Sequence, residues 1–117
     1  MENNECVFCR IIRKESPARI IYQDKEITAF WDQIPATPVH ILIVPNRHIQ
    51  SVSDLQEKDA DLVGRMVLLA KCLALQENIE KSGYRLVINS GEDAGQTVHH
   101  LHMHLIGGRP MAFRTNL

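Results

Sequence analysis

A stretch near the end of the chain, in which histidines alternate with apolar residues, constrains the fold most strongly. His100, His102 and His104 are separated by single leucine and methionine residues. Because successive side chains of a β-strand point to opposite faces, this period of two predicts a strand with three imidazoles on one face and apolar side chains against a core. Neighbouring imidazoles would lie roughly 6.6 Å apart along such a strand.

The same stretch carries groups suited to chemistry on a phosphate. Imidazole can act as base, acid, nucleophile or metal ligand near neutral pH. Gly95, Gln96 and Thr97 precede the histidines and are typical of a turn whose amides and hydroxyl hold an anion. Three ligands in a row on one strand would span roughly 13 Å, which is too far to converge easily on one tetrahedral zinc ion. We therefore favour a catalytic strand over a metal centre built by this strand alone.

Length and composition limit the class of protein. A chain of 117 residues with 44% hydrophobic residues predicts one folded domain, over 1–117, rather than a disordered chain. A net charge of −1 gives no basic field for a nucleic acid or an anionic membrane. The polar start is unlike a secretory signal, no apolar run is long enough to span a bilayer, and three cysteines do not suit a secreted disulfide scaffold. We expect a cytoplasmic protein.

The remaining pattern predicts an α+β domain with an antiparallel sheet of about five strands, one long helix and a short N-terminal helix. We expect the helices at 10–15 and 57–79. The strands are expected at 20–24, 27–32, 39–45, 84–89 and the histidine stretch. The last two strands should pair as a hairpin with a wide loop. Residues 53–56 carry a capping-box pattern that begins either the long helix or a preceding turn.

A second apolar stripe on the long helix indicates a partner. Leu68 and Leu75 lie in line with Gly64, away from the main apolar face of the helix. In an isolated domain these leucines would face water, and glycine in mid-helix costs roughly 1 kcal/mol relative to alanine. Close approach of the same helix in a second copy would account for both features, so we expect a twofold homodimer.

Cys6-x-x-Cys9 has two common meanings, a redox pair or half of a metal site. The strand–helix context of a thioredoxin-type redox pair is not evident. His48 and one of the later histidines could complete a tetrahedral site. Two partly buried thiols without metal remain the alternative.

Three further polar residues stand at predicted strand ends. Asp32 is either a turn former or an acceptor for the hydroxyls of a ribose. His40 would lie near the alternating histidines if its strand is their neighbour. Asn89, at the mouth of the loop before Gly95, is either a turn residue or a donor to a ligand.

The run His100-x-His102-x-His104 followed by apolar residues resembles the signature of the histidine-triad (HIT) superfamily. Gly107-Gly108-Arg109-Pro110 resembles the branch of histidine triad nucleotide-binding proteins that act as purine nucleoside phosphoramidases. The likeness covers 6–111. It implies an α+β fold, usually as a twofold dimer. It also implies hydrolysis of the phosphorus–nitrogen bond of a purine nucleoside 5′-phosphoramidate, of the AMP amide type, through a covalent nucleotidyl-histidine.

The resemblance also implies roles for individual residues. His102 would be the nucleophile, with His104 and His40 holding its tautomer and assisting proton transfer. Catalysis would need no cofactor. The phosphoryl oxygens would be held by Thr97, Gln96 and backbone amides near Gly95. Asp32 would hold the ribose, with Asn89 as a further nucleotide contact. The base pocket would be lined by Val7, Phe8, Ile11 and Phe30. The ligands of a structural zinc ion would be Cys6, Cys9, His48 and His100.

Two departures from the family pattern leave alternatives open. Gln33 stands where relatives often carry an aliphatic residue, which leaves the base preference open because an amide can form hydrogen bonds. His99 stands where many relatives have an aromatic residue, so either His99 or His100 would bind zinc. A dinucleoside polyphosphate hydrolase or nucleotidyltransferase of the same superfamily is one alternative function. A zinc-stabilised nucleotide-binding interaction module is the other, although His102 beside Gly95–Thr97 argues against it.

Overall fold

The computed structural model describes residues 6–117, which form a five-stranded antiparallel sheet, one long helix and a short N-terminal helix. The sheet order is β1-β2-β3-β5-β4. The strands are β1 Ile20–Gln23, β2 Ile27–Trp31, β3 Val39–Pro45, β4 Tyr84–Val87 and β5 Met103–Gly107. The helices are α1 Val7–Ile12 and α2 Ala60–Gln76. The predicted α+β class and the β4–β5 hairpin are confirmed.

The central strand β3 separates two apolar clusters. Ile41 and Ile43 pack in the cluster on the α2 side, whereas Leu42 and Val44 pack with α1. This alternation follows the period of two of a strand, and both faces of β3 are covered, which explains its continuous apolar sequence. His40 shares its parity with Leu42 and therefore lies on the α1 face.

Strand β5 lies next to β3 in an antiparallel register. Leu42 is opposite His104 and His40 is opposite Ile106, so the two histidines are diagonal neighbours on one face. Met103 and Leu105, on the other face of β5, pack in the cluster with α2. The sheet therefore brings His40 and His104 together, as the sequence predicted.

The histidine stretch is a strand only in part, which corrects the prediction of one strand through all three histidines. The strand begins at Met103, so of the three only His104 belongs to it. The hydrogen bonds between β3 and β5 stop at Met103 because Pro45, which ends β3, has no N–H to donate to the next residues. The amide of Leu101 instead donates to the carbonyl of Ile49, and every residue from 100 to 107 is buried.

Both helices differ in extent from the prediction. Helix α1 begins at Val7 rather than at residue 10, because Cys6 is its N-cap and its Sγ accepts a hydrogen bond from the amide of Cys9. Helix α2 ends at Gln76 rather than at residue 79, because Asn78 adopts a left-handed conformation with φ of 60°. Its neighbour Ile79 donates to the carbonyl of Ala74, which is the hydrogen bond of a Schellman cap.

The predicted capping-box residues form the preceding turn, at Val52–Asp54. A second short turn at Glu57–Asp59 leads into α2, with the carboxylate of Asp59 accepting from the amide of Gln56. Strand β4 ends at Val87, two residues earlier than predicted, so Asn89 lies in the following loop. Among residues 6–117, no helix has the length and apolarity needed to cross a bilayer.

Candidate active site and metal-binding cluster

Three buried imidazoles meet on the α1 face of the sheet. Nε2 of His40 lies 2.9 Å from Nδ1 of His104. The rings of His104 and His102 follow with their centroids 5.0 Å apart. Each of the three side chains is at most 6% exposed. Residues from β3, β5 and the segment before β5 thus form one contiguous row of rings.

Hydrogen bonds fix the position of each proton along this row. The backbone N–H of Ala36 donates to Nδ1 of His40 at 3.0 Å, so the proton of neutral His40 is on Nε2. That proton is donated to Nδ1 of His104, which places the proton of His104 on its own Nε2. This last N–H is buried and has no hydrogen-bond partner among residues 6–117. The relay therefore ends in one oriented donor.

His102 has the opposite arrangement. Its Nδ1 donates to the backbone carbonyl of His100 at 2.7 Å, so Nε2 carries the unprotonated lone pair. The tautomer is therefore held by the backbone and not, as predicted, by His104 or His40. The His102 ring lies edge-on to Phe8, with centroids 5.2 Å apart.

Burial keeps these imidazoles neutral. Desolvation lowers the pKa of His102, although its bond to the His100 carbonyl and the nearby charge of Asp32 oppose the shift. Burial, with the neighbouring His102 and His40, lowers the pKa of His104 to about 3. Burial also lowers the pKa of His40, against the pull of Asp32, whose Oδ2 lies 3.5 Å from Nε2 of His40. At neutral pH His102 thus presents an available lone pair.

An apolar cavity of about 460 Å³ lies beside the histidine row. This volume falls within the range of small-molecule pockets, roughly 300–1,000 Å³. The four residues implied for a base pocket all line it, namely Val7, Phe8, Ile11 and Phe30. Polar side chains, among them Asp32 and Gln33, also line it. The Asp32 carboxylate accepts a hydrogen bond from the amide of Ile34 through Oδ1, which leaves further lone pairs for a ligand.

The side chain of Gln96 stabilises the loop before the histidines through three hydrogen bonds. Its Oε1 accepts from the amide of Gly91 at 2.8 Å, and its Nε2 donates to the carbonyls of Gln50 and Val98. All three contacts are with backbone, so this amide group holds the shape of the loop. Gly95 adopts φ of 86°, a conformation that favours glycine. The side chain of Thr97 is exposed, and Asn89 is half-buried at the loop's other end.

A second cluster joins the start of α1 to the histidine stretch. Its four ligand atoms, from Cys6, Cys9, His48 and His100, lie within 4.8 Å of one another. Nδ1 of His100 is 3.4 Å from Sγ of Cys6 and 3.6 Å from Sγ of Cys9. Nδ1 of His48 is 3.3 Å from Sγ of Cys9. Two sulfur and two nitrogen donors at this spacing form a cluster that could hold a tetrahedral metal ion.

A hydrogen bond to the backbone orients the His100 ring within this cluster. Its Nε2 donates to the carbonyl of Pro45 at 2.8 Å, which leaves the lone pair of Nδ1 facing the thiols. Burial lowers its pKa to about 4, so the ring is neutral. His99 is exposed and lies outside the cluster. Of the two histidines left open by the sequence, the geometry thus selects His100.

A further set, Asp32, His40 and His104, also lies within 4.8 Å. Its tautomers do not suit a metal. Nε2 of His40 carries a proton because Nδ1 accepts from Ala36, and a protonated nitrogen cannot ligate. This set therefore acts as a hydrogen-bond relay.

Comparison with known proteins identifies the fold family. A family model for the HIT domain matches residues 13–111, which is most of the chain. This chain belongs to the HIT family. Purine nucleoside phosphoramidase from Escherichia coli (strain K12) is 48% identical over 107 residues, covering 92% of this chain and 90% of the relative.

Solved structures of HIT proteins agree with the fold. A HIT family hydrolase from Legionella pneumophila Philadelphia 1 has a TM-score of 0.91 at 42% identity, covering 93% of this chain and 97% of the other. A zinc-bound histidine triad family protein from Mycobacterium smegmatis has a TM-score of 0.80 at 29% identity, covering 96% of this chain and 83% of the other.

Several groups in the HIT site were missed by sequence reasoning. Leu42 and Val98 line the cavity. Leu42 could have been found, because it lies two residues after His40 on the same face of a strand. The backbone groups that fix the tautomers belong to Ala36, Pro45 and His100, and no side-chain pattern indicates them.

Proposed function

We propose that this HIT protein is a purine nucleoside phosphoramidase, which cleaves the phosphorus–nitrogen bond of a nucleoside 5′-phosphoramidate. The observation that carries the proposal is the lone pair of His102 Nε2, which the bond to the His100 carbonyl fixes beside an apolar cavity lined in part by Asp32. The 48% identity to the Escherichia coli protein of that name supports the substrate class.

In the proposed first step, Nε2 of His102 attacks phosphorus and the bond from phosphorus to the leaving nitrogen breaks. The leaving nitrogen takes a proton from solvent and departs as an amine. The nucleotide remains bonded to His102, and the Nδ1–H bond to the His100 carbonyl stabilises the positive charge on the ring.

In the second step, water attacks phosphorus and the bond to Nε2 breaks. The water's proton goes to solvent, a nucleoside monophosphate leaves, and His102 returns to its neutral form. The Nε2–H of His104 donates to a phosphoryl oxygen in both steps, since its low pKa makes the ring a neutral donor rather than an acid. The amides of Gly95 and Gln96 already donate to the carbonyls of Glu92 and Gly91, so the hydroxyl of Thr97 is the group of this loop that holds another phosphoryl oxygen.

A turnover assay with a fluorogenic adenosine phosphoramidate tests the proposal. The expected result is hydrolysis well above the rate of a dinucleoside polyphosphate measured in parallel. Faster cleavage of the dinucleoside polyphosphate would assign the protein to that other activity of the superfamily, and binding without hydrolysis of either substrate would support an interaction module.

Asp32→Ala is expected to weaken binding of the nucleoside. Loss of charge-assisted hydrogen bonds to ribose should raise KM by roughly 10- to 100-fold, with a smaller effect on kcat. The measurement is steady-state kinetics with the adenosine substrate and with its 2′,3′-dideoxy analogue. The analogue lacks both hydroxyls, so Asp32→Ala should have little effect on its KM. An equal rise for both substrates would contradict the ribose contact.

We also propose a structural zinc ion held by Cys6, Cys9, His48 and His100. The zinc-bound Mycobacterium smegmatis relative supports the choice of metal. The ion would join the start of α1 to the segment before β5, and no step of catalysis requires it. None of the three cysteines forms a disulfide, which agrees with a cytoplasmic location as part of the same proposal.

The dimer is a further part of the proposal. Leu68 and Leu75 are 60% and 58% exposed, Cys72 between them is exposed, and a Cβ added at Gly64 would contact nothing within 4 Å. Within residues 6–117 this stripe stays exposed, whereas a second α2 would cover it.

Leu68→Asp is expected to dissociate the dimer. A twofold axis would bring the two introduced carboxylates close together in an apolar contact. Sedimentation or light scattering across a range of concentrations is the measurement. Val52→Asp, at an exposed apolar residue outside α2, is the matched control and should leave the mass unchanged. A monomeric mass for the unmodified protein at all concentrations would refute the dimer.

A further inference from the structure

Gly108, which follows β5, allows the chain to approach the loop between β2 and β3. A Cβ at Gly108 would lie 3.0 Å from Cβ of Pro38, and Gly108 adopts φ of 100°. A side chain at Gly108 would crowd Pro38 and would be strained by the positive φ. Gly108 thus places Arg109 beside the loop of residues 32–38.

Arg109 bonds to the backbone of this loop. Its Nη2 donates to the carbonyl of Ala36 at 2.8 Å. The same residue, Ala36, donates its N–H to Nδ1 of His40 at 3.0 Å. The loop is otherwise restricted by Pro35 and Pro38, and by the hydroxyl of Thr37, which donates to the carbonyl of Val39. The carbonyl of Ala36 therefore accepts a hydrogen bond from Arg109, and its N–H donates one to His40.

We infer that Arg109 is a positioning residue for the proposed phosphoramidase reaction, acting through Ala36 on His40 and His104. While the Ala36 N–H faces Nδ1 of His40, the proton of His40 is confined to Nε2 and the free proton of His104 to its own Nε2. If the loop moves, Nδ1 of His40 can take the proton. The lone pairs of His40 Nε2 and His104 Nδ1 would then face each other, and His104 would lose its orientation.

The inference rests on the proposed function, and kinetics test it first. Arg109→Leu should lower kcat by about tenfold with little change in KM, because positioning of a donor is lost and nucleoside contacts are kept. Arg109→Lys should restore part of the loss, since an ammonium can still donate to the Ala36 carbonyl. The matched control is Arg85→Leu. The side chain of Arg85 donates to the carbonyls of Ala112 and Phe113 in the C-terminal tail, and within residues 6–117 it forms no hydrogen bond to His40 or to the loop of residues 32–38.

A double variant separates action through His40 from a general effect on the fold. In a His40→Ala background, Arg109→Leu should cause no further loss of kcat, because the link it acts through has been removed. A full and independent loss in that background would overturn the inference. Thermal unfolding of each variant identifies any general loss of stability.

Nitrogen-15 NMR of the imidazoles gives a readout that does not depend on turnover. The unmodified protein and Arg85→Leu should show His40 protonated on Nε2 alone, whereas Arg109→Leu should show a mixture of the two tautomers. An unchanged tautomer in Arg109→Leu would overturn the inference. If the unmodified protein hydrolyses no phosphoramidate, the proposed function fails, while the NMR result still decides whether Arg109 fixes His40.

Discussion

His102→Ala is expected to lower kcat/KM for an adenosine phosphoramidate by roughly 10⁴-fold or more, which is the scale of losses when a nucleophile is removed. Within residues 6–117, the lone pairs of His40 Nδ1 and His104 Nδ1 accept hydrogen bonds from Ala36 and His40, whereas the lone pair of His102 Nε2 stays available. Asp32 and the apolar cavity remain, so binding of AMP measured by calorimetry should be largely kept.

Variants of the other histidines provide the comparison for the activity of His102→Ala. His99→Ala is the matched control, because His99 is exposed and adjacent to the row, and it should retain full activity. His104→Ala should cause a smaller loss than His102→Ala, since it removes a donor and leaves the nucleophile. In His102→Gly, added imidazole is expected to restore some turnover by filling the vacated space. A His102→Ala protein with a comparable rate would disprove the mechanism.

Replacement of Cys9 by serine is expected to remove bound zinc and to lower the free energy of unfolding by roughly 3 kcal/mol or more, because binding of a structural metal contributes directly to folding. Cys9 is buried and lies near both His48 and His100, so its loss breaks the cluster at its centre. The measurements are elemental analysis and thermal or chemical unfolding. Well below the melting temperature, kcat should fall less than stability does.

The matched controls for the zinc site are Cys72→Ser and His99→Ala. Cys72 is a thiol outside the cluster, so its replacement should leave the zinc content unchanged. His100→Ala should lose the metal whereas His99→Ala should keep it. A purified protein of full stability without metal would contradict the zinc proposal.

Much of the fold follows from local patterns, because the spacing of apolar residues and the positions of proline and glycine are properties of short segments. The buried run Val39–Pro45 was predicted with its bounds, since Pro45 ends a ladder and continuous apolar residues indicate a central strand. The meeting of His40 with His104 followed from the pairing of their strands. The end of α2 was missed because Asn78 was not recognised as a left-handed cap residue, a role that asparagine can fill in place of glycine.

Other features depend on contacts that are distant in sequence. The alternation at His100-x-His102-x-His104 predicts a longer strand than the protein forms, since the His100 ring turns to Pro45 and to the thiols of α1. The tautomers of His102 and His40 are set by carbonyl and amide groups of the backbone. These groups are present in every residue, so only the three-dimensional structure shows which of them face a ring.

Rapid mixing with an adenosine phosphoramidate, followed by quenching and mass spectrometry of the digested protein, tests the central claim most directly. The mechanism predicts a nucleotide bonded to the peptide that contains His102, which forms and decays as fast as the overall turnover. The label should be absent from the His102→Ala protein and present, with slower turnover, in the His104→Ala protein. Full turnover with no nucleotide on His102 at any time would contradict the covalent mechanism.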